Sequence, residues 1–313
     1  ISKAQEIPSS FADLAEKLMP SVVNISTTTT VTTRSNPLPF EFPPGSPFED
    51  MFGSPQQRQT SALGSGFIID EEGIVITNNH VIQGASDIFV RVNGDEDYKA
   101  EVLGADAGMD IAVLKIKSDE KFKPVKFGNS DKSRIGDWVI AIGNPFGLGG
   151  TVTAGIISAR NRSIGLSRYE DYIQTDASIN QGNSGGPLFN MSGDVIGINT
   201  AILGQSGSIG IGFAIPSNSA QKVIEQLIEF GETKRGWLGV RIQVVDQGIA
   251  DAEKLDKPRG ALVASVADNS PSDKGGIKPG DIILEFDGKP INEMKELPKI
   301  VAETDVGKKV IVK

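Results

Sequence analysis

The sequence predicts a mainly β protein of more than one domain, and three observations carry that reading. The chain has 313 residues, which at roughly 100–200 residues per domain is enough for two or three domains, each with its own core. It contains 36 Gly and 17 Pro among many short Val/Ile/Thr runs, a balance that favours strands joined by tight turns. From Gly64 onward those runs recur every 8–12 residues or so, the spacing of a sandwich or of barrels.

In chain order, Ser10 and Asp13 flank Phe11, Leu14, Ala15 and Leu18 at helical spacing, predicting a short capped helix that Pro20 stops. Ser21–Thr33 alternates as a strand. Residues 34–61 are rich in Pro, Ser, Gln and Gly yet hold Phe40, Phe42, Phe48, Met51 and Phe52; this long loop reads either as one that docks through its aromatics or as a disordered segment. Strands are predicted at Gly66–Ile69, Ile74–Thr77, Ile88–Val92, Ala100–Ala105, Ile111–Ile116, Trp138–Gly143, Thr151–Arg160, Tyr172–Asp176, Pro187–Phe189, Val195–Ala201 and Gly210–Ile215. Asp70-Glu71-Glu72-Gly73 fits a four-residue hairpin loop between the first two. Ser217–Gly231 puts Ala220, Val223, Ile224, Leu227 and Ile228 on one helical face, with Gly231 after the last turn. That helix closes a first domain, residues 1–231. The charged connector 232–235 opens a second, residues 232–313, with a helix start at Ser270-Pro271 and a helical stretch near Asn292–Thr304 that Pro298 interrupts. The chain stops at Val310-Ile311-Val312-Lys313, inside or just after a strand, which leaves the completeness of the second domain open.

Composition excludes several function classes. The formal net charge is −9, so no surplus of cations is available for a phosphate backbone, and neither nucleic acid nor an anionic membrane is an expected partner. There is no Cys and a single His, His80, which removes disulfides, thiol nucleophiles and paired-His metal sites; no cofactor or metal is expected. No apolar run is long enough to span a membrane, and the opening residues lack a signal-peptide pattern, so a mature or trimmed soluble chain is expected.

Acyl transfer by serine needs a hydroxyl, a base to take its proton, a carboxylate to orient that base, and N–H donors aimed at the oxyanion. Asn180-Gln181-Gly182-Asn183-Ser184-Gly185-Gly186-Pro187-Leu188 surrounds one serine with glycines, which let successive N–H groups converge. Ser184 is the candidate nucleophile and Gly182, Asn183 and Ser184 the candidate oxyanion loop, although the string alone also fits a glycine-rich turn. His80 lies where Val75-Ile76-Thr77 runs into a polar segment, a rim position that suits a general base, while a single His is by itself more often a surface or satisfied core residue. Asp110 stands at the entrance of the apolar run Ile111-Ala112-Val113-Leu114, where an unpaired carboxylate is costly, and the Nδ1–H of His80 would serve it. The chain order His, Asp, Ser separates this set from subtilisin-like and α/β-hydrolase arrangements.

Thr77-Asn78-Asn79-His80-Val81, Asp110-Ile111-Ala112-Val113-Leu114-Lys115, Gly143-Asn144-Pro145-Phe146-Gly147, Tyr172-Ile173-Gln174-Thr175-Asp176-Ala177 and Gly182-Asn183-Ser184-Gly185-Gly186-Pro187-Leu188 together resemble the HtrA (Do/DegP-like) family of bacterial envelope serine proteases. Trp237-Leu238-Gly239-Val240, Gly276-Ile277-Lys278-Pro279-Gly280-Asp281 and Asp287-Gly288-Lys289-Pro290-Ile291 resemble that family's first PDZ domain. The resemblance covers almost the whole chain. It implies a chymotrypsin-like protease domain of two six-stranded β-barrels followed by a PDZ domain, with His80 and Asp110 from the first barrel and Ser184 from the second. It further implies an ATP-independent endopeptidase of the periplasm that degrades or holds unfolded or misfolded polypeptides and assembles as homotrimers or multiples of them.

By the same resemblance, Ile179 and Ile202 wall the pocket for the side chain before the cleaved bond, and an Ile-lined pocket favours small aliphatic residues such as Val. Thr200-Ala201-Ile202 form the edge that pairs with extended substrate, with Thr200 also supporting Asp110. Phe146 and Arg162 match positions that relay PDZ occupancy to the active site, and 34–61 matches a loop that reaches a neighbouring subunit. In the PDZ unit, Leu238, Gly239 and Val240 capture a C-terminal carboxylate, with apolar C-termini as the expected ligands. Against the protease stands a non-catalytic chaperone or PDZ-mediated scaffold, which would need none of the three polar residues. An α/β-hydrolase esterase would place Ser before Asp before His and would alternate strands with helices, which this chain does not.

Overall fold

A computed structural model describes residues 8–33, 56–92, 94, 96–144, 149–165, 169–180, 182–202 and 208–313. The chain divides into two compact units, Ile1–Ile164 with Asp171–Glu232, and Gly165–Glu170 with Thr233–Lys313. A single break after residue 231 does not anticipate that six residues of the earlier sequence, Gly165–Glu170, group with the second unit.

The first unit opens with helix α1 (Ala12–Leu18), where the Ser10 hydroxyl accepts the Ala12 N–H at 3.1 Å and Pro20 falls in a tight turn that stops the helix. Among the described residues twelve strands follow. β1 (Val22–Thr33), β2 (Gln56–Ile68), β3 (Ile74–Thr77), β4 (Asp87–Val92), β5 (Glu96–Asp106) and β6 (Ile111–Ile116) close into one barrel in the order β1-β2-β3-β6-β5-β4. β7 (Trp138–Gly143), β8 (Thr151–Arg162), β9 (Tyr172–Thr175), β10 (Pro187–Phe189), β11 (Val195–Ile202) and β12 (Gly212–Pro216) close into a second, in the order β10-β11-β12-β9-β8-β7. Between β3 and β4 sits a four-residue helix, α2 (Asn79–Ile82).

Strand periodicity explains why both barrels and the layer between them are filled by apolar side chains. On β6, Ala112, Leu114 and Ile116 cluster with Val23, Ile25, Ile68 and Val75 inside the first barrel. The alternate residues Ile111 and Val113 instead join Phe67 and Ile76 with Ile140, Ile142, Phe189 and Phe213 of the second barrel. Both faces of β6 are therefore buried, which is why its sequence is apolar without alternation. Val139, Ala141, Ile157, Ile173 and Leu188 fill the second barrel. Helix α3 (Ser217–Phe230) lays Ala220, Val223, Ile224 and Leu227 on the inter-barrel layer, and Gly231 ends it by donating its N–H to the Leu227 carbonyl.

One local expectation is corrected. Gln56–Ser61, placed in the loop 34–61, belong to β2 and pair with Thr28–Thr33 of β1. A run of polar residues in the sequence hides a strand that backbone pairing creates, and Phe40, Phe42, Phe48, Met51 and Phe52 lie outside the described residues. The polar segment that carries His80 forms the single turn α2.

The second unit carries a three-stranded sheet, β13 (Val240–Val244), β14 (Ala261–Val266) and β15 (Ile282–Ile283) in that order, and a two-stranded hairpin, β16 (Glu285–Phe286) with β17 (Lys289–Pro290). Helices α4 (Gln247–Ala252), α5 (Pro271–Lys274) and α6 (Glu296–Ala302) complete it. Ser270 caps α5 by accepting the Asp273 N–H at 3.1 Å. Pro298 does not break the predicted helix, because α6 starts only at Glu296 and leaves the proline in the first turn, where a missing N–H costs nothing. The last residues pair with 284–286: Lys313 donates to the Glu285 carbonyl at 3.0 Å and Leu284 to the Lys313 carbonyl at 2.8 Å. Leu238, Ala261, Val263, Ile283, Phe286 and Leu297 form its core. Among the described residues no helix is long and apolar enough to cross a membrane.

Candidate active site

The first barrel delivers two of the three candidate residues together. Asp110, in the turn before β6, takes a left-handed backbone conformation (φ 56°), which short acidic side chains tolerate better than most. One of its carboxylate oxygens lies 2.6 Å from His80 Nδ1 and the other accepts the His80 backbone N–H at 2.8 Å. That N–H is in the first turn of α2, where it has no partner within the helix, so one carboxylate fixes both the ring and the turn that carries it. An ionised carboxylate can only accept, which puts the imidazole proton on Nδ1 and leaves the Nε2 lone pair free. The ring is about half exposed, at 47%, while Asp110 is mostly covered at 19%.

The second barrel contributes Ser184, tied to the first by a chain of bonds. Ser65 on β2 donates its N–H to the Ser184 carbonyl at 2.9 Å and its hydroxyl to the Gly182 carbonyl. Thr77, three residues before His80, donates its hydroxyl to the Ser65 carbonyl at 2.8 Å. Gly185 is packed into this junction: its φ is 83°, and a β-carbon there would lie 2.3 Å from the Ser65 carbonyl oxygen and 2.4 Å from Thr77 Oγ1. Only glycine fits. On the other side the Gly185 N–H donates to the Asn199 carbonyl at 2.7 Å. Asn183 is buried, its N–H donating to the Asn180 carbonyl at 3.2 Å and its side chain bracing the loop through Ser178 and Asn180. Among the described residues neither the Gly182 nor the Ser184 N–H is spent on another group, and no hydrogen bond joins His80 to Ser184. Such contacts often tighten only when substrate is present.

Thr200, expected to support Asp110, makes no direct hydrogen bond to it among the described residues. Its hydroxyl proton goes to the Ile198 carbonyl at 2.9 Å, and its oxygen accepts from Asn78 Nδ2 at 3.1 Å. The same Asn78 amide donates to the Asp110 carbonyl at 2.7 Å, so support passes through Asn78, which the sequence reading quoted without a role. Asn78, Ser65 and Thr77 are fully buried polar residues; a polar run entering a core strand is the sequence signal that could have singled them out.

Of the remaining candidates, Ile179 lies in the apolar cluster of the second barrel, 1% exposed. Ala201 is partly buried against the inter-barrel layer and Ile202 ends β11. Arg162 ends β8 and its Nε donates to Gln174 at 3.0 Å. Phe146 lies outside the described residues.

In the second unit, Leu238-Gly239-Val240 turn into β13. Gly239 has φ 82°, and a β-carbon there would lie 2.3 Å from that of Ser270. The Leu238 carbonyl accepts from the Ser272 N–H at 3.1 Å and from its hydroxyl, and the Gly239 carbonyl from the Ala267 N–H at 2.8 Å. The Leu238 and Gly239 N–H groups, by contrast, donate to no other group among the described residues. Both residues line a depression of about 360 Å³, with Trp237, Val240 and Ile242 on one side and Leu297 and Val301 of α6 on the other. Tyr169 also lines it, with the Arg235 guanidinium 4.7 Å from its ring centre.

Two family models match the chain: a trypsin-like peptidase domain over residues 64–198 and a PDZ domain over 236–313. A probable periplasmic serine endoprotease DegP-like from Marinomonas sp. (strain MWYL1) is 48% identical over the whole chain, which spans 70% of that protein. One of the same description from Hahella chejuensis (strain KCTC 2396) is 45% identical over 97% of the chain, which spans 66% of it. Among solved structures, the HtrA-type protease AlgW with decapeptide is 42% identical, with a TM-score of 0.79, covering 97% of this chain and 94% of that one. The two closed barrels, the PDZ unit after them and relatives alike along nearly the full length of this chain lead to one conclusion: this chain belongs to the HtrA (DegP-like) family of serine endoproteases.

Proposed function

We propose that Ser184, His80 and Asp110 are the nucleophile, base and orienting carboxylate of this endopeptidase, and that the N–H groups of Gly182 and Ser184, on a loop shaped by Asn183, form its oxyanion hole. The observation that carries the proposal is the double grip of Asp110 on His80, through both Nδ1 and the backbone N–H. Ser184 Oγ attacks the scissile carbonyl while His80 Nε2 takes its proton; the imidazolium is stabilised by the carboxylate, and the proton then passes to the leaving amine. Water repeats the sequence in the opposite sense to release the acyl group. The developing oxyanion meets the two unspent N–H donors, and loss of one such donor typically costs about 10²–10³ in rate.

Ile179, Thr200, Ala201 and Ile202 bound the pocket for the residue before the cut, in this reading, and select small aliphatic side chains. The unspent N–H groups of Leu238 and Gly239 beside an apolar depression support capture of an apolar C-terminus, and the AlgW structure with a decapeptide is in keeping with such a ligand. The substrates are unfolded or misfolded polypeptides of the periplasm, the compartment in the relatives' names; Phe146 and Arg162 relay PDZ occupancy; the assembly is a homotrimer or a multiple of it; and the domains part at 231/232.

The test is a fluorophosphonate probe and an unfolded casein-type substrate given to the chain and to Ser184→Ala, with cut sites mapped by mass spectrometry. Labelling at Ser184 and cuts after Val or Ile are expected, both absent in Ser184→Ala. Undiminished turnover by that variant removes the assignment, and binding of casein with neither labelling nor cleavage by the intact chain favours the holding function instead.

A further inference from the structure

The second unit carries another depression besides the one beside Leu238 and Gly239. It is about 380 Å³ and is lined by Val244, Val245, Pro258, Arg259 and Gly260, and by Asn292, Glu293, Met294 and Lys295. The two have no lining residue in common but draw on successive stretches of the same elements: along β13 the first is lined by Val240 and Ile242 and the second by Val244, and on the other side the first is lined by Val301 and Leu297 of α6 and the second by Met294, just before α6. The strand numbers rise as the others fall, so the second depression follows the first along β13. Val240, Ile242 and Val244 also share one face of the strand. The first two are packed against the core of the unit, whereas Val244 is left 62% exposed. Among the described residues β14 is the only sheet neighbour of β13, which leaves the outer edge of β13 without a strand partner.

We propose that this second depression is a subsite for the fifth residue from the C-terminus of a captured peptide, and that it takes an aromatic side chain. The proposal rests on the reading that the first depression holds the C-terminal residue. A peptide added antiparallel to β13 advances about 3.4 Å per residue and turns every second side chain to the same face. With its last residue at Val240, the third from the end falls at Ile242 and the fifth at Val244. The first and third meet the depression under α6, and the fifth meets the next one.

The lining chooses the occupant. Val244, Val245, Met294 and Pro258 supply the apolar part of the lining, beside Asn292, Glu293, Arg259 and Lys295, and Val245 is buried. A thioether and a guanidinium are favourable neighbours for an aromatic ring. The cations at the rim already have carboxylate partners, Arg259 with Asp256 at 3.1 Å and Lys295 with Glu293 at 2.9 Å, which blunts their pull on an acidic ligand residue.

The test uses the full chain and fluorescence anisotropy. Heptapeptides sharing the same three apolar C-terminal residues carry Phe, Gly or Asp at the fifth position from the end, and the bare tripeptide competes. Phe is expected to bind about five- to tenfold more tightly than Gly, with Asp no better than Gly. In Val244→Ser, an exposed position where folding is not at stake, the advantage of Phe should fall below twofold while tripeptide affinity stays unchanged. Equal affinities for Phe and Gly with the tripeptide still bound overturn the subsite alone, as does tighter binding of Asp. Failure of the tripeptide and of every heptapeptide overturns the reading of the first depression, and the subsite with it.

Discussion

At the scale of single residues, the site depends on which way protons point. Asp110 uses one oxygen on the His80 ring and the other on its backbone N–H, so the base is held by two bonds that report to one carboxylate. The backbone of Asp110 is in turn held by Asn78, whose amide spans from the Asp110 carbonyl to Thr200 on the second barrel. Asn78 touches no reacting atom and is a positioning residue. Replacing it by Ala leaves the Asp110 carbonyl and the Thr200 oxygen without their donor, a loss of about 1–3 kcal/mol for buried groups. The expected outcome for Asn78→Ala is a kcat lower by about ten- to a hundredfold, with KM nearly unchanged, because the aim of the base is disturbed rather than the binding of the substrate. Steady-state kinetics on a cleavable peptide separate the two; a rise in KM at constant kcat would show instead that Asn78 shapes the substrate edge through Thr200.

At the scale of elements, the serine loop is seated by close backbone approach. A β-carbon on Gly185 would meet a carbonyl oxygen of β2 and the Thr77 hydroxyl at once, in a left-handed conformation, and neither the backbone nor a buried threonine can step aside cheaply. Gly185→Ala is therefore expected to lower Tm by several degrees and to abolish probe labelling at Ser184, whereas Gly210→Ala, equally left-handed (φ 82°) but with a β-carbon that would meet nothing within 4 Å, should keep the label and shift Tm less. Calorimetry and labelling together decide it, and a labelled Gly185→Ala would mean the loop is free to shift. The same contrast between backbone and side chain explains what could be read from the sequence. The barrel strands were legible, many to the residue, because burial on one or both faces writes itself as alternation or as an apolar run. So was the pairing of Asp110 with His80, since a carboxylate entering β6 needed a partner. Gln56–Ser61 was not legible, being a polar strand held by main-chain pairing to Thr28–Thr33. Nor was α2, too short to show a period, nor the route from Thr200 to Asp110, which turns on one hydroxyl proton going to Ile198.

At the scale of the whole first unit, the candidate residues are divided between two closed barrels, so their alignment is only as firm as the layer that joins the barrels. That layer is apolar, with Phe67, Ile76 and Ile111 facing Ile140, Phe189 and Phe213, and it is distinct from the fillings of the barrels themselves. Phe67 and Leu114 are both fully buried on strands of the first barrel, one pointing into the joint and the other into the barrel interior. Truncating either leaves a cavity, at about 3–5 kcal/mol for Phe→Ala and about 2–5 kcal/mol for Leu→Ala. Their effects on catalysis should part company. Leu114→Ala weakens the first barrel yet leaves His80 and Asp110 moving as one body with their bonds intact. Phe67→Ala loosens the joint, and Phe67 lies two residues beyond Ser65, whose bonds reach the Ser184 and Gly182 carbonyls. The expected result is a larger fall in the rate of fluorophosphonate labelling for Phe67→Ala than for Leu114→Ala at matched loss of Tm. If labelling follows Tm alone in both variants, the barrels act as one rigid body, and the layer between them contributes stability without governing the alignment of the site.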